Sequence, residues 1–72
     1  MKTLQDKRNG NIYTIGSING ERYLYNRVMR FKATDVRLNN LKEITLNEYD
    51  TEELIKDIKE TNKNDFARII FE

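Results

Sequence analysis

The side chains that most often carry catalysis are scarce in this chain. It has no histidine and no cysteine, so the common Ser-His and Cys-His nucleophile pairs cannot be built. Ser17 is the only serine, and the three glycines (Gly10, Gly16 and Gly20) fit no phosphate-binding loop. Acid–base chemistry would have to rest on lysine, tyrosine and carboxylates alone. We therefore expect no enzymatic activity and no cofactor.

Acidic side chains offer one pattern that could suggest a metal ion. Asp50, Glu53 and Asp57 share one face of a predicted helix, and Ca²⁺ and Mg²⁺ prefer oxygen ligands. Their spacing matches no EF-hand loop. A capped, solvated helix end explains the same residues, and we expect no metal site.

A segment that interleaves cations with aromatic rings is the best candidate for binding. The residues that we predict to bind a partner there are Tyr23, Tyr25, Arg27, Arg30, Lys32 and Arg37. Sheet proteins that bind single-stranded nucleic acid use rings for stacking and basic side chains for phosphates. The alternative is that the rings belong to the core and the charges to an ordinary solvated face, because a net charge of +1 is far from strongly basic.

The small net charge hides a division along the chain. Residues 1–42 hold nine Lys/Arg and three Asp/Glu, whereas residues 43–72 hold four and nine, so the halves carry +6 and −5. This asymmetry indicates either a charged partner or neutralisation of one half by the other. The acidic segment 43–60 could face a basic partner, imitate a phosphate backbone, or pair with the basic half in a dimer.

The strongest structural signal is a β-hairpin over residues 12–25. Asn19-Gly20 stands between two β-prone runs, and a two-residue type I′ turn needs positive φ at both positions. Such a turn places Ile15 opposite Leu24 on a face that we expect to be core. The other face of the hairpin is also fairly apolar, so it is either covered by another element or used for binding.

Hydrophobic alternation predicts three further short strands. Met29, Phe31 and Ala33 alternate with basic residues in the segment 28–33, although a helix over 21–32 is a rival interpretation. Residues 36–38 and 44–46 show the same period of two, with a turn at Asn39-Asn40 between them.

The second half predicts one helix and a final strand. We expect the helix at about 51–62, with Asp50 as N-cap and Glu53 completing a capping box. The segment 66–71 predicts a C-terminal strand that is apolar on both faces. Residues 1–10 are polar and predict a frayed terminus or a short edge strand.

Together these elements predict one small α+β domain over residues 1–72: a curved antiparallel sheet with the helix on one face. A small barrel of the SH3 or OB type is the alternative. We expect a cytoplasmic protein, because the chain has no cysteine, no signal-peptide pattern and no apolar run long enough to span a membrane.

No motif is specific enough to indicate a family, so the functional expectation rests on class and not on a site. Small size, absent catalytic residues and many residues of AT-rich codons are typical of phage or mobile-element proteins. We therefore expect a small non-enzymatic protein-binding module of this class, which binds and inhibits a host protein such as a component of the DNA replication, transcription or defence machinery. The alternatives are a small nucleic-acid-binding protein and a homodimeric structural accessory protein. Because so short a chain has a thin core, we expect a homodimer or an obligate complex.

Overall fold

The computed structural model describes residues 1–72 and consists of one antiparallel sheet with two helices. The sheet order is β4-β3-β2-β1-β5, with β6 beside β2. In chain order the elements are β1 (Thr3–Asp6), β2 (Ile12–Ile18), β3 (Glu21–Tyr25), β4 (Arg30–Lys32), α1 (Asp35–Leu38), β5 (Leu41–Ile44), α2 (Glu48–Thr61), a 3₁₀ turn (Phe66–Arg68) and β6 (Ile70–Phe71). The predicted α+β architecture is confirmed. The sheet is not closed into a barrel, because β4 and β5 do not pair with each other.

Strands β2 and β3 form the predicted hairpin. Asn19 and Gly20 have φ angles of 52° and 81°, the left-handed conformation that a type I′ turn requires. Ile15 lies opposite Leu24 and Thr14 opposite Tyr25, so the predicted register is confirmed. Because side chains alternate between faces, this register decides which residues enter which core.

The other edge of β2 is shared by the two ends of the chain. Strand β1 pairs with Ile12–Thr14, and β6 pairs with Gly16 and Ser17. The Lys2 N–H donates to the Glu72 carbonyl at 2.6 Å. The prediction that residues 1–10 form a frayed terminus or an edge strand is therefore wrong for Thr3–Asp6. These residues pair on both sides, with β2 and with β5, which satisfies their backbone groups.

Helix α1 replaces the strand predicted at 36–38. The Thr34 hydroxyl accepts a hydrogen bond from the Arg37 N–H at 3.3 Å and so caps this short helix. Three alternating residues cannot distinguish a strand from a single helical turn when a cap is available. The neighbouring strands also differ from their predicted bounds: β4 is limited to Arg30–Lys32, and β5 begins at Leu41. The rival helix over 21–32 is wrong.

Helix α2 starts before the predicted bound of 51. Its N-cap is Asn47, whose Oδ1 accepts from the Asp50 N–H at 2.8 Å, while Asn47 Nδ2 donates to Asp50 Oδ2 at 3.1 Å. The assignment of Asp50 as N-cap is therefore wrong, because Asp50 lies in the first turn. The strand predicted at 66–71 is shortened to Ile70–Phe71 by the 3₁₀ turn.

Each face of the sheet has its own core. We call the side that α2 covers the α2 face and the opposite side the α1 face. The α2-face cluster consists of Tyr25, Leu54, Ile58 and Ile69. The α1-face cluster consists of Leu4, Tyr13, Ile15 and Leu24. Both faces of the hairpin are thus covered, and neither helix is long and apolar enough to cross a membrane.

Candidate functional site

Tyr25 is the predicted binding residue whose position differs most from expectation. Its relative exposure is 0%, because α2 covers the face of the hairpin that carries it. The phenolic hydroxyl has no hydrogen-bond partner, and burial raises the pKa of Tyr25. A fully buried ring cannot contact a partner, so the prediction that Tyr25 binds one is wrong for this structure.

Tyr23 lies two residues earlier on the same face and is half-buried. Its hydroxyl donates to Glu21 Oε2 at 2.8 Å, and this hydrogen bond to a carboxylate is the main reason that the pKa of Tyr23 is raised. The Arg30 guanidinium lies 4.7 Å from the centre of the ring. Both the hydroxyl and one ring face are therefore engaged inside the protein.

Three ion pairs join the basic half of the chain to the acidic half. Arg27 pairs with Asp57 on α2, and Arg30 pairs with Asp65 at 3.6 Å. Arg22 forms the third pair, in which Nε and Nη2 donate to the two carboxylate oxygens of Glu72 at 2.8 and 2.9 Å. The charge asymmetry of the sequence is thus partly neutralised within one chain.

Lys32 and Arg37 are the two predicted binding residues whose charges have no carboxylate partner. Lys32 is exposed and lies opposite Tyr23, which places its side chain on the α2 face. The Arg37 guanidinium lies 5.4 Å from the centre of the Phe31 ring, on the α1 face. The two free cations therefore belong to opposite faces of the sheet and do not form one continuous basic surface.

The turn between β3 and β4 carries two exposed apolar side chains that lie in the strand predicted over residues 28–33. Val28 is 69% exposed and Met29 is 48% exposed. The Asn26 side-chain oxygen accepts from the backbone N–H groups of both residues, at 2.9 and 2.7 Å. An asparagine that folds the chain back in this way is a recognised turn signal, and it could have indicated the turn at 26–29.

The flanks of this turn are fastened to the C-terminal part of α2 and the segment that follows it. The Thr61 hydroxyl donates to the Arg27 carbonyl at 3.0 Å, next to the Arg27–Asp57 ion pair. On the other flank, Arg30 pairs with Asp65. The tip formed by Val28 and Met29 is thus flanked by contacts to α2 and to the segment after it, while its own side chains face solvent.

The α1 face contains a small cavity of about 120 Å³. Apolar residues line one part of it (Tyr13, Leu24, Phe31 and Leu41), and polar residues line the other (Asp6, Arg8, Asn9 and Arg37). The Arg8 side chain and backbone both donate to the Asp6 carboxylate, and these bonds hold the pKa of Asp6 below its usual range. Ligand pockets usually measure about 300–1,000 Å³, so this cavity has room for one side chain and not for a larger substrate.

The acidic residues do not gather into a metal-binding group. No set of three or more His, Cys, Asp or Glu side chains is positioned to hold an ion. Asp50 is engaged with the N-cap Asn47, and Asp57 is engaged with Arg27.

Comparison of the chain with protein-family models, with curated proteins and with solved structures found no match.

Proposed function

We propose that this protein is a small non-enzymatic protein-binding module that contacts its partner through the turn between β3 and β4. The observation that carries the proposal is the exposed pair Val28 and Met29, presented on a turn whose two flanks are fastened by the ion pairs of Arg27 and Arg30. Methionine and arginine are both enriched at protein interfaces.

The fixed position of the turn supports binding energetically. Association costs free energy when loops and side chains become ordered at an interface. Here the Asn26 side chain and the Thr61 hydroxyl already order the turn in the free protein. The burial of Val28 and Met29 against a partner would therefore contribute to affinity with a smaller ordering cost.

The ion pairs count against the nucleic-acid alternative. Arg27 and Arg30, which would have to neutralise phosphates, already have carboxylate partners. A protein cation that neutralises a phosphate releases the counterions condensed on the nucleic acid, and this release drives binding. Arginines that already have carboxylate partners are poorly suited to that role. An inhibitor of a host protein, carried by a phage or a mobile element, remains the more specific form of our proposal.

A pull-down from a low-GC bacterial lysate tests this proposal. The wild-type protein should retain a stoichiometric protein partner both with and without nuclease treatment. The double variant Val28→Ser/Met29→Ser should lose that partner, because the apolar contact is removed from an exposed turn without disturbing the core.

Val36→Ser is the matched control, because Val36 is 73% exposed but lies on α1. This variant should retain the partner. Binding that disappears after nuclease treatment, or that survives in the double variant and is lost in Val36→Ser, would contradict the proposal.

A further inference from the structure

Strand β5 is an outer strand of the sheet and pairs only with β1. In the β1–β5 ladder, Gln5 lies opposite Lys42 and Thr3 opposite Ile44. The Lys7 N–H donates to the Asn40 carbonyl at the start of this ladder. Hydrogen-bonded pairs alternate with non-bonded pairs between antiparallel strands, so Lys42 and Ile44 are the residues bonded to β1.

The backbone groups of Leu41 and Glu43 consequently point away from β1. No other backbone hydrogen bond from a turn, loop or cap involves residues 41–46. The N–H and C=O groups of these two residues form an unpaired row, which is the template on which an extended segment can add as a further strand.

The opposite outer strand, β4, is protected at one of its two residues whose backbone groups point outward. The Lys32 carbonyl, which would be an acceptor for an added strand, receives hydrogen bonds from the Thr34 N–H at 3.0 Å and from Arg37 Nη1 at 2.9 Å. Arg37 therefore blocks one edge of the sheet, whereas β5 carries no comparable protection.

Two copies of β5 are poorly suited to pair with each other. When two copies pair antiparallel, residues whose backbone groups point away from β1 must lie opposite one another. The two symmetric registers that meet this condition and overlap β5 most fully are centred on Lys42 or on Glu43. The first places Lys42 against its own copy, and the second does the same for Glu43. Like charges directly opposite are destabilising, and neither residue has an ion-pair partner within the chain.

We propose that the free edge of β5 binds an extended segment of a different protein, which adds to the sheet as an antiparallel strand with an acidic residue opposite Lys42 and a basic residue opposite Glu43. The backbone groups of Leu41 and Glu43 would supply the hydrogen bonds, and the two charges would select the segment. This surface lies at the other end of the sheet order from the β3–β4 turn, so the inference goes beyond the function proposed above and does not depend on it.

Two short peptides test the charge rule directly. The matched peptide, acetyl-Thr-Val-Lys-Glu-Val-amide, places Lys opposite Glu43 and Glu opposite Lys42 when it adds antiparallel to β5. The swapped peptide, acetyl-Thr-Val-Glu-Lys-Val-amide, has the same composition with the two charges exchanged. In an NMR titration of the labelled full-length protein, we expect the matched peptide to bind about fivefold more tightly, as two cross-strand charge pairs of ordinary strength would give.

Hydrogen exchange locates the binding without any substitution. The amides of Leu41 and Glu43 should exchange rapidly in the free protein and become protected when the matched peptide is added. The amides of Lys42 and Ile44, which already bond to β1, should change little. Protection of another edge, or no protection at millimolar peptide, would overturn the proposal.

Three variants complete the test. Glu43→Pro removes an N–H that points outward and is not used by β1, so peptide binding should be lost while the fold remains, since proline is tolerated on an outer strand. Glu43→Ala is the matched control, because it keeps the N–H and should still bind the matched peptide. The charge exchange Lys42→Glu/Glu43→Lys should reverse the preference between the two peptides. If the preference does not reverse, charge does not select the segment and the proposal fails, whatever the lysate experiment finds at the β3–β4 turn.

Discussion

The two faces of the sheet are covered by helices of very different length. On the α2 face a helix of 14 residues buries Ile58 completely and leaves Leu54 only 1% exposed. On the α1 face a helix of four residues covers a cluster that borders a cavity of about 120 Å³. The hairpin is buried on both faces, with Ile15 at 1% and Tyr25 at 0% exposure, but only its α1 face borders an incompletely filled cavity.

This difference teaches where stability and adaptability lie in so small a chain. Leu54 and Ile58 both enter one cluster with Tyr25 and Ile69, and such a cluster has little room to change. The α1 face has Leu38 as its half-buried helical contact, together with charged residues beside the cavity. We expect substitutions on the two faces to differ accordingly.

The largest effect should come from truncation on the α2 face. Ile58→Ala removes a fully buried side chain and should lower the free energy of unfolding by about 2–5 kcal/mol. Leu38→Ala on the α1 face removes a half-buried side chain and should cost roughly 1 kcal/mol. Urea denaturation of both variants measures the two losses. Equal losses would mean that the short helix α1 contributes as much to stability as α2 does.

Added volume should separate the faces in the opposite sense. At Gly16 an added Cβ would lie 2.8 Å from Ile69 Cγ2 and 3.3 Å from the Ile70 carbonyl oxygen, so Gly16→Ala should cost about 1–3 kcal/mol through overpacking. Leu41→Phe enlarges a side chain that lines the cavity and should change stability by less than about 1 kcal/mol. Thermal unfolding of the pair checks the order. A tolerated Gly16→Ala would show that the α2 face has spare room.

The helix caps should differ by a smaller amount. Asn47 exchanges two hydrogen bonds with Asp50 at the start of α2, so Asn47→Ala should cost about 1 kcal/mol. Thr34 makes a single bond of 3.3 Å to a helix of one turn, and Thr34→Ala should cost about 0.5 kcal/mol, the lower end of the range for caps. Chemical denaturation of the two variants measures both costs. A larger loss at Thr34 would mean that α1 contributes more to stability than its size suggests.

Local signals predicted the hairpin, whereas long-range contacts decided the parts that were missed. The Asn19-Gly20 turn fixes the register of its own two arms, so the sequence contains all that is needed there. Strand β1 has one local partner, Ile12–Thr14, which it meets across the turn at residues 7–11, and one distant partner, Leu41–Ile44. The turn signal at Asn9-Gly10 is compatible with the first pairing, but no local pattern in residues 1–10 could reveal the second, which makes β1 an inner strand.

The errors at the helices have a different origin, because two local interpretations competed. Asn47 with Asp50 and Asp50 with Glu53 are both acceptable capping pairs, and the structure uses the first. The prediction of the binding face failed for another reason, because packing of α2 against the hairpin cannot be read from the local sequence. Tyr25 is a plausible binding residue on an isolated hairpin, but α2 buries it. The exposed pair Val28 and Met29 was missed because the turn signal of Asn26 was outweighed by the alternation of residues 28–33.

Acid should weaken the α1 face before the α2 face. Both carboxyl groups whose pKa is lowered, Asp6 by its hydrogen bonds from Arg8 and Glu72 by its hydrogen bond from Arg22, belong to the α1 face. A carboxyl with a lowered pKa in the folded state contributes stability that is complete above its ordinary pKa, about 4 in the unfolded chain. That contribution is lost as the pH falls through the lower folded pKa, because protonation then favours the unfolded state.

Asp6→Asn isolates this effect. The variant should be less stable than the wild type at pH 7, and the difference should shrink below about pH 4, where the wild-type carboxyl also loses its charge. The matched control is Glu43→Gln, which removes an exposed carboxylate that makes no ion pair in the structure and should change stability at pH 7 less than Asp6→Asn does. Amide exchange resolved by residue should detect opening near Tyr13 at a higher pH than near Ile58. Simultaneous opening of both sites would indicate that the two faces unfold as one cooperative unit despite their unequal packing.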